Sequence, residues 1–216
     1  KYSLLEMLKW MRPEGSEAQK EFCKIYLEPV FGDPDEHGNY IKIVGDSPKV
    51  CFAAHHDTVH KQGGKQELTI CGDKVKATNS NCLGADCTTG VWLILNMIQA
   101  KVPGVYVVHA GEEIGCVGSA ALVKDYPSSL DQVNAVISFD RKGTESIITH
   151  QLGSRTCSDE FAVSLSKVLS MPQLRPDNTG SYPDSNEYAC IVPECTNISV
   201  GYLRQHTPNE EQDMYY

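Results

Sequence analysis

The stretch "KVCFAAHHDT" (residues 49–58) passes from a nearly continuous apolar run straight into two histidines and an aspartate. A strand buried on both faces reads as such a run rather than as an alternation. The sudden polar triplet marks the point where that strand leaves the core. Working outward, "YIKIV" (40–44) reads as a neighbouring strand, and "GVYVVHA" (104–110) and "NAVISFD" (134–140) as further buried ones. "ESIITH" (145–150) follows, and "TNISVGY" (196–202) is the last buried strand. Between them lie helical patterns. Leu4, Leu5, Leu8 and Met11 have helical spacing that "RPEGS" ends, and "SEAQKEFCKIYLEPVF" restarts it behind Ser16 as N-cap. Residues 85–100, "VGSAALVKDY" (117–126) and "CSDEFAVSLSKVLSM" (157–171, N-cap Ser158) are also expected to be helical. Residues 61–79 hold two turn signals, Gly-Gly and Gly-Asp, and read as one or two hairpins. Strands alternating with helices predict an α/β fold: a three-layer α/β/α sandwich with a mostly parallel central sheet. At 216 residues, a single domain over 1–216 is expected.

The net charge of −9, from 19 basic and 28 acidic side chains, argues against nucleic acid or an anionic membrane as partner. No apolar run approaches the length of a membrane span. Nine cysteines without regular spacing read as reduced thiols, which points to a cytoplasmic protein. The start "KYSLLEMLKWM" lacks the layout of a signal peptide. "NIS" (197–199) matches a glycosylation acceptor but falls in an expected strand, where chance is the better reading.

In a mostly parallel sheet, functional groups gather beyond the carboxyl ends of the strands. Those ends carry His55-His56-Asp57, Glu112-Glu113, Asp140 and His206, and the turn into the helix at 85 carries Asp86. Singly, each has an ordinary reading: an aspartate before a helix caps it, and a Glu-Glu pair is usually solvated. Together, His55, Asp86, Glu113, Asp140 and His206 supply two imidazoles and three carboxylates. Two neighbouring zinc ions would take that set, with one imidazole and one terminal carboxylate each and one carboxylate between them. Ions about 3.5–4 Å apart can share a water, lower its pKa and polarise a carbonyl. Glu112 is left over beside the set, suited to take a proton from that water and hand it to a leaving amine. Residues two apart at a strand end point the same way, so Asp57 can accept from the second ring nitrogen of His55 and fix its tautomer. His56 and His60 are read as structural or surface histidines.

The motifs "HHDTV", "GADCTTG", "GEEIGCVGS", "SFD" and "HTPNE" together resemble the co-catalytic di-zinc exopeptidases. That superfamily includes the peptidase T-like, carboxypeptidase G-like and bacterial leucyl aminopeptidase-like enzymes. The resemblance runs from about residue 14 to residue 210. It implies His55 as a terminal ligand with Asp57 as its orienting partner, Asp86 as the bridging carboxylate, and Glu112 as the general base. Glu113 becomes a terminal ligand, His55 and Asp140 share one ion, and Glu113 and His206 share the other. It also implies a cis peptide after the bridging aspartate, here Asp86–Cys87. One departure is Cys87, where the family usually has a second aspartate. Another is length: 65 residues separate Asp140 from His206, too few for the second domain many relatives insert there. The resemblance therefore implies the catalytic domain alone, with a phosphorylase/hydrolase-like fold and without a lid or dimerisation domain.

The leading functional expectation is an aminopeptidase that hydrolyses small peptides with two divalent ions, zinc first. "TGSYPDSNEYA" (179–189) reads as a wall of the substrate pocket. Tyr182 and Arg204 are candidates for contacting the substrate's oxyanion or carboxylate. An N-acyl amino acid amidohydrolase on the same site is the alternative, alongside one-zinc cyclisation of N-terminal glutamine. A non-catalytic binding protein of the same fold is a third, against which stands the presence of every ligand and the base.

Overall fold

The computed structural model describes residues 2–125 and 127–216. Its centre is a seven-stranded sheet built from β1 (Tyr40–Val44), β2 (Val50–His55), β5 (Gly104–His109), β6 (Ala135–Arg141), β7 (Ser146–Ile148), β8 (Arg175–Asp177) and β9 (Glu194–Ser199). Strands β3 (Leu68–Cys71), β4 (Lys74–Ala77), β10 (Tyr202–Leu203) and β11 (Glu211–Asp213) form a separate antiparallel sheet in the order β10-β11-β4-β3. The central order is β8-β7-β9-β6-β2-β5-β1. Strands β9, β6, β2 and β5 run parallel, while β1 joins β5 antiparallel at one edge. At the other side β7 crosses β9 antiparallel and pairs parallel with β8.

The uninterrupted apolar run of β2 follows from helices on both faces. Cys51 and Ala53 join Val105, Val107 and Val136 on one face, under Leu122 of α4 (Val117–Asp125) and Tyr188. Ala54, Tyr106 and Val108 face the other way, against Val91, Ile94 and Leu95 of α3 (Ala85–Gln99) and Phe22 of α2 (Glu17–Phe22). Helix α5 (Asp159–Val168) covers β7 and β9 through Ala162, Ile147 and Ile198. This is the three-layer sandwich that the alternation predicts. One glycine sets the spacing at the functional end. A Cβ on Gly90 would lie 2.3 Å from the carbonyl oxygen of Phe139, so only glycine lets the first turns of α3 rest on β6.

Local differences from the expected elements have identifiable causes. Helix α1 (Leu4–Leu8) stops before Met11, because Trp10–Met11 extend and pair with Gly64–Lys65. Trp10 is thereby buried edge-on against Phe22, with the Lys65 ammonium 4.3 Å from its ring centre. Gly63-Gly64 consequently serves that pairing, and the real hairpin turns at Gly72-Asp73 between β3 and β4. Helix α5 ends at Val168, where Leu169 caps it and Ser170 takes a left-handed conformation. Tyr126, the expected last residue of α4, lies outside the described residues. Among the described residues, no helix is long and apolar enough to cross a membrane.

Candidate metal centre

The carboxyl ends of β2, β5 and β6 converge with the start of α3 and the turn between β10 and β11. His55 ends β2, Asp140 lies near the end of β6, and Glu112 and Glu113 sit in the turn after β5. Asp86 lies in the non-helical opening of α3, and the Asp86–Cys87 peptide is cis. His55 Nε2 stands 3.2 Å from Asp86 Oδ1, 3.4 Å from Asp140 Oδ1 and 3.9 Å from Glu112 Oε2. The other oxygen, Asp86 Oδ2, is 3.1 Å from His206 Nε2, which in turn is 3.0 Å from Glu113 Oε1. One carboxylate thus presents its two oxygens to two different trios. The structure brings together all six residues singled out for ligation and proton transfer.

Neighbours hold these groups in place. His55 Nδ1 faces both the carbonyl oxygen and Oδ1 of Asp57 at 3.2 Å. The two oxygens of Asp57 also accept from the backbone N–H groups of Glu112 (3.2 Å) and Glu113 (3.0 Å). Asp57 therefore orients His55 and the turn carrying Glu112 at once. Asn197 and Tyr202, two residues that sequence reasoning missed, donate to the carbonyl oxygen of Asp140 at 2.9 and 3.0 Å and lie within 3.4 Å of its carboxylate. Asn197 is the asparagine of the "NIS" match. Its burial and its bonds to Asp140 fit the chance reading. Arg12, also missed, is fully buried; it donates to the carbonyl of His56 (2.9 Å) and to Thr88 (2.8 Å), with its guanidinium over Phe22. His56 bonds Gln19 and Gly38, and His60 bonds Thr58 and Gln66, so both are buried structural histidines. All nine cysteines are free.

The electrostatics follow from crowding. Burial pushes the Glu112 carboxyl up to about 10, with His55 opposing and the charges of Asp140 and Asp184 reinforcing. Burial and the neighbouring Asp86 also raise Asp140 well above the usual carboxylate range. Asp86 itself, despite burial, is held far below that range by His206 and His55. The carboxylates of Asp86 and Glu113 lift His206 to about 11. Among the described residues, no lysine or arginine pairs with any of the four acids Asp86, Glu112, Glu113 and Asp140. Glu113 Oε1 is buried, with His206 Nε2 at 3.0 Å but no well-directed hydrogen bond to it. Four acids with two imidazoles form a donor set short of positive charge. Such a set fits divalent cations, and its oxygen and nitrogen atoms match the ligand preferences of zinc. The thiol of Cys87 lies beside it, donating to the carbonyl of Phe139 at 3.1 Å and clustering with His55 and Asp140.

The two residues expected to touch substrate lie farther out. Arg204 is paired with Glu211 at 3.3 Å, and its side chain is half-exposed. Tyr182 is partly exposed and accepts at its carbonyl from Cys116 Sγ, behind the turn that carries Glu112. Neither bonds to the cluster among the described residues.

A family model described as peptidase family M28 matches residues 40–170, more than half of the chain. The chain belongs to peptidase family M28. It is accordingly a metallopeptidase. The part matched to M28 carries His55, Asp57, Asp86, Glu112, Glu113 and Asp140, with His206 beyond it. Among solved structures, the M28 chain is similar to the aminopeptidase PepT of Bacillus cereus, at 15% identity and a TM-score of 0.71, covering 98% of this chain and 92% of that one. It is also similar to the TET1 peptidase of Pyrococcus horikoshii, at 13% identity and a TM-score of 0.73, covering 99% and 95%. That protein can assemble into a tetrahedron or a large octahedral shell. A zinc aminopeptidase of Bacillus subtilis shares the fold at 18% identity and a TM-score of 0.53, covering 79% of this chain and 43% of that one. At these identities the likeness is one of fold. No curated protein matches the sequence.

Proposed function

We propose that this M28 chain is an aminopeptidase that removes residues from the free amino ends of small peptides, using two divalent ions, zinc first. The observation that carries the reading is the split carboxylate of Asp86, Oδ1 toward His55 and Asp140 and Oδ2 toward His206. His55, Asp86 and Asp140 would hold one ion, and Asp86, Glu113 and His206 the other. Ions bound there supply Lewis acidity, lowering the pKa of a water and polarising the scissile carbonyl. Glu112, 13% exposed at its side chain and within 3.9 Å of His55, takes the proton from the attacking water and delivers it to the leaving amine. Asp57 keeps the base and the first imidazole in register through the three contacts described above. The aligned base removes the need for a free proton carrier in a buried site.

The test pairs metal content with a panel of aminoacyl and N-acylated amides, on the wild type and on Glu112→Ala. Two ions per chain and cleavage of free-amine substrates only are expected. Glu112→Ala should retain both ions and lose about 10²–10⁴-fold in kcat, the usual contribution of a positioned general base. Cleavage of blocked substrates only would move the reading to an amidohydrolase. No turnover after adding zinc, cobalt or manganese would end it.

A further inference from the structure

The turn after His206 contains a side chain with no role in the reaction as described. Glu210 is 1% exposed, yet its carboxylate meets no lysine, arginine or histidine among the described residues. Instead it accepts from four consecutive backbone N–H groups. Its Oε2 takes Leu83 (2.9 Å) and Gly84 (3.1 Å), and its Oε1 takes Ala85 (2.9 Å) and Asp86 (3.2 Å). These are the open donors at the start of α3, where Gly84 offers no capping side chain. A carboxylate at that end is favoured by hydrogen bonding and by the helix dipole together. The unusual part is its origin, more than 120 residues along the chain.

From this geometry we infer that Glu210 is a positioning residue that sets Asp86 against His206. Its backbone belongs to the same turn as His206, closed by its own N–H donating to the carbonyl of Thr207 at 3.0 Å. Its carboxylate holds the backbone of Asp86. Glu210 thus ties the backbone of Asp86 directly to the turn of His206, whose Nε2 lies 3.1 Å from Asp86 Oδ2, while the second tie between the two segments, Thr89 to Gln212 at 2.6 Å, lies farther along both. Asp86 has a non-helical ψ of 104°, so the ladder of α3 does not fix it; the bond to Glu210 does. The bonding is also selective. A glutamine at 210 presents one acceptor oxygen and turns an NH₂ toward N–H donors, leaving part of the set unmet.

This inference rests on the reading of Asp86 and His206 as metal ligands, and the experiment separates the two. Zinc dissociation constants are measured by competition with a chromophoric chelator for the wild type, Glu210→Gln, Glu210→Ala and Glu211→Gln. Far-UV circular dichroism and melting curves of the metal-free proteins accompany them. Glu211 begins the adjacent strand β11, bonded to Lys74, Lys76 and Arg204 rather than to the site backbone. Both Glu210 variants are expected to weaken zinc binding by about 10–100-fold, as loss of a ligand-orienting partner does. Their kcat should fall while KM changes little. Glu211→Gln should lower the melting temperature yet leave the zinc constants unchanged. Wild-type zinc constants in a folded Glu210→Gln would overturn the positioning role while sparing the ligand assignment. A wild type that binds no zinc would overturn the ligand assignment, and the positioning role with it. If Glu210→Ala does not fold, Glu210→Gln decides alone.

Discussion

At the scale of the residue, Asp57 links His55 to the turn that carries Glu112. It faces the ring of His55 with one oxygen and accepts from the N–H groups of Glu112 and Glu113, all within 3.2 Å. Asp57→Ala would leave two part-buried donors unpaired and free the imidazole to turn. Leaving a buried donor unsatisfied costs about 1–3 kcal/mol, and loss of the orienting carboxylate about 10–100-fold in metal affinity. Urea unfolding of the metal-free variant and chelator competition on the folded one measure the two effects separately. A variant that loses stability but keeps wild-type metal affinity would show that Asp57 serves the fold alone. The residues at strand ends were readable from sequence because ligand chemistry limits the residue types and a parallel sheet limits the places. Asn197, Tyr202, Arg12 and Glu210 were not readable. They act through contacts made across 44 to 127 residues, and their types carry no mark of the partner they find.

At the scale of the element, the strands of the central sheet are written in long apolar runs, whereas β10 and β11 are not. Two residues, "YL", and three polar ones, "EQD", offer no periodicity to read. What makes β11 a strand is pairing with β4 and the clamp on Glu211. Hydrogen bonds from Lys74 and Lys76 hold the Glu211 carboxyl at about 2, below its ordinary value of 4.5. A carboxyl depressed in the fold contributes stability above its unfolded pKa and loses it as pH falls toward the folded one. The gap in unfolding free energy between wild type and Glu211→Gln should therefore be full at pH 7. It should narrow as pH drops below about 4.5 and close near 2. Urea titrations of both proteins between pH 7 and 3 test this, and a gap that stays constant over the range refutes the clamp.

At the scale of the whole molecule, the site is where separate parts of the chain meet. Strands β2 and β6, the turn after β5, the start of α3 and the turn before β11 each contribute a charged or titrating group. Without cations, protons do part of the neutralising: burial keeps Glu112 near 10 and Asp140 high, and the surrounding carboxylates keep His206 near 11. At pH 7 Glu112 and His206 then carry a proton. On the proposed assignment, ligation by His206 and base function by Glu112 require those protons to leave. Metal binding should thus release protons, and affinity should rise with pH across the neutral range. Calorimetric titration with zinc in buffers of different ionisation enthalpy gives the proton count directly, and a heat independent of buffer would contradict it. The same coupling acts on stability. Ions that bind only the folded chain stabilise it by about 2.7 kcal/mol per site at a hundredfold excess over Kd. That increment should be larger at pH 8 than at pH 6, because fewer protons remain to be displaced. On the proposed assignment, the cation would hold this cluster of buried acids together at the same point where the peptide bond would be cut, so chelation should remove activity and stability together.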